Sequence, residues 1–554
     1  MPQTSSKLSA DQVGAADAVM RLGVHEIEPW IKALPLADVG VTYHRVSAAL
    51  SQLNDGDSTS EERFAALELF RDTIQYLSEG LKHHFVGASF PLTLKARGIA
   101  NQLYELHLEM ARGYQNIADE LLELTALRRD FTMLATSLHR SLYYLNQGLL
   151  THYQVYEPSN SECWRRIHLS YEAAERKGLQ SSTVKDRYRQ NKQSTTIEDQ
   201  YKQILLLALA NPYCHSQADM TGIYLLLEHW TPLCQFHPAN HFDELQHACV
   251  VDLAGDEPPS YIAYSTVPLS ATCRMLDTSA LIQSLRNSMP RNPGEAPDQL
   301  AESGVPQTTI RWRDLLHSLI TAWGMTTKRR FSRLQPKTTD IGISLGLSAI
   351  HQLIDRVVDP LPASEAAGID ERPAASRFRN DTSIGTATGA ENSGTYLCEV
   401  INESAEGSRL KWHNTDKGKI RIGELVAIHH PHESGEMPGI ATIRWLKTIG
   451  RHAVEFGIQL LSPDAIPITI RLYSGKDQES GHDYLKGLYI PEFKANRQPA
   501  SLILPAFLYH TDDIVSLMMD DQEHCLRLVK TIETTQGFSR FHFAALTTPH
   551  NAHH

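Results

Sequence analysis

The chain has 554 residues and a formal net charge of −12, with 42% of residues hydrophobic and 21% charged. That balance excludes a disordered or fibrous chain, the length exceeds one hydrophobic core, and the acidic charge excludes a general nucleic-acid binder, which needs a broad basic surface. No apolar run reaches the roughly eighteen residues that a membrane-crossing helix needs, the start lacks a secretory pattern, and the scattered cysteines contain no C-x-x-C pair, which predicts a cytoplasmic protein without disulfides or a zinc ribbon.

Residues 1–288 read as helix. Thr59 and Glu62 have capping-box spacing ahead of Phe64, Leu67, Ile74 and Leu77. In "GIANQLYELHLEMARGYQNIADELLEL" the apolar residues Ile99, Leu103, Leu106, Met110, Ile117, Leu121 and Leu124 recur every three or four positions, with Tyr114 filling the gap, as the buried stripe of a long helix does. Trp164, Ile167, Tyr171 and Ala174 repeat the pattern, with Gly178 placed as a C-terminal cap. "YKQILLLALANP" is stopped by Asn211 and Pro212, and "GIYLLLEHW" follows. Such a succession predicts a bundle or a stack of helix pairs.

A Pro/Gly/Asn-rich stretch predicts a linker over 289–309. Residues 310–463 then open with a helix that aligns Trp312, Leu315, Leu316, Leu319 and Trp323, after which the period changes to alternation. "GTYLCEVI", "IRIGELVAI", "IATIRWL" and "VEFGIQLL" are strand-length, as is "ITIRLY" just beyond, and the set predicts a small barrel or sandwich. The segment 359–394, rich in Ala, Ser, Gly and Pro, reads as a mobile insertion. Residues 464–546 read as further strands that extend the barrel or form a second β domain, and 547–554 as a disordered tail.

Two short segments carry chemistry. "KRRFSR" places Lys328, Arg329, Arg330 and Arg333 together in an otherwise acidic chain. Guanidinium groups clamp phosphate oxygens bidentately and match the O6/N7 edge of guanine. "NESAEG", after the apolar "LCEVI", sets Asn402 and Ser404 on the same side of an extended chain, with Gly407 available for a turn at positive φ.

An R-x-x-x-R segment before the first strand and a later N-x-S-x-x-G after an apolar strand resemble the PilZ domain, a bacterial receptor for cyclic di-GMP. The resemblance covers about Thr326 to Pro463, and the helical region and the C-terminal strands also look like larger bacterial PilZ proteins. It implies a six-stranded antiparallel barrel on which Arg329, Arg330, Arg333, Asn402, Ser404 and Gly407 bind the dinucleotide. The fold class expected is therefore multidomain α+β: an all-α N-terminal region, a PilZ-like barrel and a C-terminal β region. The function implied is a cyclic di-GMP receptor with no catalytic residues, metal or cofactor. Its arginines are expected to order the segment 326–333 on binding, and its helical region to contact an unidentified protein in control of motility, pili or biofilm. The alternative is a scaffold whose barrel never meets nucleotide.

Two departures from the family pattern are the long spacing between the motifs and a helix-like run, "LSAIHQLI", after the first strand. His237, His241, Asp243, His247 and Cys249 cluster in the sequence, but Pro238 interrupts the helical His spacing and no H-E-x-x-H occurs, so satisfied histidines are expected there. Trp412 and Trp445 read as barrel core in preference to a stacking platform. No Walker A loop and no GGDEF- or EAL-type stretch is present.

Overall fold

The structure, a computed structural model, describes residues 24–546 apart from 161, 190–193, 240–247, 263–268, 290–311, 325–339, 359–394, 405, 414–417, 430–436, 451–452, 474–483, 493–497 and 520–521. The chain divides into two units: residues 1–88 with 92–328, and residues 89–91 with 329–554.

In the first unit the helices are α1 (Val24–Lys32), α2 (Val39–Asp55), α3 (Ser60–Lys82), α4 (Leu94–Glu123), α5 (Phe131–Gln154), α6 (Cys163–Arg176), α7 (Ile197–Leu209), α8 (Gln217–Trp230), α9 (Ser279–Asn287) and α10 (Trp312–Trp323). Their ends follow side-chain chemistry. Thr59 and Glu62 form a reciprocal capping box at α3, while Asp38, Thr93, Asp130 and Thr196 cap α2, α4, α5 and α7. Gly178, at φ +70°, lies just past the end of α6.

From Ser137 to Gln154, α5 is buried on every face, although it carries His139, Arg140, Asn146 and Gln147. A helix buried all round normally reads as apolar, so these polar groups need internal partners. Arg140 and Arg71 each donate to a different oxygen of the fully buried Asp186, both at 2.8 Å.

This helical unit also holds short strands: a two-stranded ladder of β1 (Thr183–Lys185) with β2 (Ser194–Thr196), and an antiparallel sheet of β3 (Gln235–Pro238), β4 (Ala248–Asp252), β5 (Ser260–Tyr261) and β6 (Cys273–Asp277) in the order β3-β6-β4-β5. The sequence expectation grouped α10 with the barrel, but this helix packs in the first unit. The Trp323 Nε1 donates to the Leu206 carbonyl at 3.0 Å, and the Trp323 carbonyl accepts from Thr278.

The second unit is built of two closed six-stranded antiparallel barrels. The first comprises β7 (Asp340–Leu345), β8 (Tyr396–Ser404), β9 (Gly407–His413), β10 (Leu425–His429), β11 (Gly439–Ile449) and β12 (Ala453–Ser462), in the cyclic order β10-β11-β12-β9-β8-β7. The second comprises β13 (Ile466–Leu472), β14 (Leu485–Ile490), β15 (Ser501–Pro505), β16 (Ile514–Met519), β17 (Gln522–Thr534) and β18 (Phe538–Ala545), in the order β13-β14-β15-β18-β17-β16. The C-terminal strands thus close on themselves and do not extend the first barrel. The helix-like run after β7 is α11 (Leu347–Val358), reached through Gly346 at φ +82°. Its Ile350 and Ile354 are fully buried in one cluster with Leu425, Ala427 and Ile440 of the first barrel and Leu488, Ile490, Ile503 and Phe538 of the second.

Candidate ligand-binding face

The first barrel is filled by cross-strand rows of apolar side chains. Val400 opposes Leu410, Leu410 opposes Phe456, and Phe456 opposes Leu446, all at most 6% exposed. Strict alternation along β8 would then turn Asn402, two residues after Val400, inward as well. A β-bulge prevents this. Ile401 is the extra residue, so Val400 pairs with Leu410 and Asn402 with Arg409, the next residue in the opposite strand. The bulge swaps faces and brings Asn402, and Ser404 beyond it, to the outside of the barrel, where both are half-buried.

Ser404 pairs with Gly407 at the tip of the β8–β9 hairpin, and the Ser404 hydroxyl donates to the Gly407 carbonyl at 3.0 Å. Gly407 does not have positive φ, which corrects the turn expected from sequence. Its requirement is close approach: a Cβ there would lie 2.0 Å from the Ile458 carbonyl oxygen on β12.

Following the same row outward, Arg409 opposes Gly457, and Gly457 opposes Trp445. A second bulge, between Ile443 and Trp445, interrupts the β11–β12 register. It leaves Ile443 and Leu446 buried while Arg444 and Trp445 are both half-buried on the outer side. The indole occupies the space that Gly457 leaves, since a Cβ there would meet Trp445 Nε1 at 1.9 Å. The guanidinium carbon of Arg409 stands 6.0 Å from the indole centre, near the outer limit of a cation–π contact, and its Nε donates to Glu455 at 3.1 Å. Arg444 donates through Nε to Gln459, the residue opposite Gly407, at 2.7 Å.

The outer surface of β8, β9, β12 and β11 therefore presents an amide, a hydroxyl, two guanidinium groups and an aromatic face around two glycines. Such a surface can hydrogen-bond a nucleobase, pair with phosphate and stack on a base. Of the residues expected from sequence, Asn402, Ser404 and Gly407 are brought together here. Arg329, Arg330 and Arg333 lie outside the described residues. Trp412 is a core residue, 2% exposed, as expected, whereas Trp445 is on the surface. Arg409, Arg444 and Gln459 were not singled out by sequence reading, because nothing local marks which face a strand residue takes once a bulge intervenes. His237 lies on a strand, not a helix, with Nε2 3.0 Å from Gln235 Oε1, while His241, Asp243 and His247 lie outside the described residues.

Comparison with known proteins gives a consistent match along the chain. A family model described as the N-terminal domain of the cyclic-di-GMP receptor FimW matches residues 25–240. The model for the middle PilZ domain of that receptor matches 248–359 and 355–467, and the model for the FimW C-terminal beta-barrel domain matches 469–546. The cyclic-di-GMP receptor FimW of Pseudomonas aeruginosa is 25% identical over 565 aligned residues, which cover 94% of this chain and 90% of that protein. No solved structure matches the chain. Among the described residues, no helix is long and apolar enough to cross a membrane.

Proposed function

We propose that this chain, which belongs to the family of FimW-type PilZ receptors, binds cyclic di-GMP on the outer face of its first barrel and passes the signal to a protein partner. The observation that carries this reading is the bulge at Ile401, which turns Asn402 and Ser404 outward beside Arg409 and Trp445. The name of the Pseudomonas relative supports the choice of ligand. In this reading Asn402 and Ser404 hydrogen-bond the dinucleotide, Gly407 keeps the hairpin tip low, and Trp445 offers a stacking surface. Arg329, Arg330 and Arg333 clamp its phosphates and guanine edges.

The protein acts as a cytoplasmic receptor and not as an enzyme, with the helical region as the surface for a partner that controls pili, motility or biofilm. Ordering of the segment 326–333 by the ligand would couple the face to the rest of the chain, and amide exchange there that is equal with and without ligand would refute that coupling.

The test is calorimetric titration of cyclic di-GMP into the full chain and into Ser404→Ala, Asn402→Ala and Arg333→Ala variants. The wild type should bind, and each substitution should weaken binding about tenfold or more, the value of one charge-assisted hydrogen bond. Absence of wild-type binding by two methods would leave the scaffold reading.

A further inference from the structure

Arg444 sits between two claims on its charge. Its Nε faces the outer surface of the first barrel through Gln459, while Nη1 and Nη2 reach both carboxylate oxygens of Glu533 on β17 of the second barrel, the latter at 3.1 Å. Glu533 has its own cross-strand neighbour, Arg540 on β18. Arg540 is only 6% exposed, its Nε donates to the fully buried Ser501 hydroxyl at 2.9 Å, and its buried Nη2 has no partner among the described residues.

Two guanidinium groups thus flank one carboxylate, and the carboxylate serves the more exposed of the two. A partly exposed pair contributes little, whereas a buried donor without an acceptor costs most of its desolvation. Burial pushes the Arg540 pKa down, Glu533 opposes that shift, and Arg444 adds to it. A second arrangement, with Glu533 on Arg540, would satisfy the buried group and free Arg444.

We infer that Arg444 is a further ligand contact held in reserve by Glu533, and that a phosphate-bearing ligand on the outer face draws Arg444 away while Glu533 transfers to Arg540. This rests on the reading of that face as a cyclic di-GMP site. The exchange makes the second barrel responsive to ligand on the first, because the two arrangements are discrete and the ligand contacts only one of them.

The experiment is titration of cyclic di-GMP into the full chain carrying Glu533→Gln, Arg540→Met, both together, or Arg444→Met, alone and with Glu533→Gln. Releasing Arg444 by Glu533→Gln should tighten binding about tenfold, and Arg540→Met, which removes the carboxylate's second partner, should weaken it about tenfold. The double variant should bind as Glu533→Gln does, and Arg444→Met should weaken binding and abolish the effect of Glu533→Gln. A merely structural role would not give opposite signs for neighbouring residues. Should Arg540→Met fail to fold, the Glu533 and Arg444 variants still close the cycle. Wild-type binding with no change in Glu533→Gln, or with Glu533→Gln and Arg540→Met shifting it the same way, overturns the exchange alone. No wild-type binding overturns the receptor reading and the exchange with it.

Discussion

Gly407 and Gly457 serve the same face by different means, and the difference is measurable. A Cβ at Gly407 would lie 2.0 Å from a backbone oxygen, which cannot move without opening the β9–β12 ladder, so Gly407→Ala should cost about 1–3 kcal/mol in urea denaturation. A Cβ at Gly457 meets the Trp445 side chain, which is half-buried and can swing outward. Gly457→Ala should therefore cost less stability than Gly407→Ala while weakening cyclic di-GMP binding as measured by titration. Equal stability losses would show that the indole is fixed more firmly than its exposure implies. Asp186 offers a residue-scale test in the other unit. Burial pushes its carboxyl up, but Arg140 and Arg71 outweigh this and hold it below the usual carboxylate range. A group whose folded pKa lies below its unfolded value of about 3.9 adds stability that is fully present above that value and is lost as pH falls through the folded one. Urea midpoints of the helical unit should hold down to about pH 4 and fall below it. Asp186→Asn should flatten that acid limb and cost about 3 kcal/mol at neutral pH, since Arg71 and Arg140 lose their buried counter-charge and keep only the half-buried Glu68.

The bulge in β8 makes an element-scale prediction, because two single deletions give regular ladders of the same length and opposite consequences. Deleting Ile401 leaves Asn402 opposite Arg409, still outward. Deleting Glu403 heals the bulge the other way, placing Ile401 opposite Arg409 and Asn402 opposite Ser408, on the inward face. The first variant should keep cyclic di-GMP affinity within a few-fold. The second should lose it and be less stable by about 1–3 kcal/mol, the cost of an unpaired amide. Affinity retained by both would remove Asn402 from the site. These elements also mark how far the sequence could be read. The alternation of Val454, Phe456, Ile458 and Leu460 and the capping box at Thr59 are local signals, and each predicts its element directly. The spacing of Asn402 and Ser404 puts them on one side of a strand, but the side depends on one extra residue that leaves composition and period nearly unchanged. Trp445 was misread for the same reason, since Arg444 is the extra residue ahead of it. The sheet β3-β6-β4-β5 went unread because its strands are two to five residues long, too short for a period. The polar residues of α5 hid its central position, because partners such as Asp186 lie far along the chain.

At the scale of the second unit, the two barrels are held by a shared interior as well as by the Arg444–Glu533 pair. Helix α11 leaves the first barrel after β7 and inserts Ile350 and Ile354 between β10 and β14, so that Leu425 and Ala427 share one apolar cluster with Leu488 and Ile490. A small closed barrel buries little surface by itself, and a common cluster makes the stability of each barrel depend on the other. Ile354→Ala should therefore act on both. The cavity should cost about 2–5 kcal/mol, and amide exchange should report it as a parallel loss of protection in β10 and β14. Loss confined to β10 would mean that the second barrel stands without the helix. In that case the exchange of Glu533 between two arginines would be the stronger of the two links, and ligand on the first barrel would reach the second through charge and not through packing.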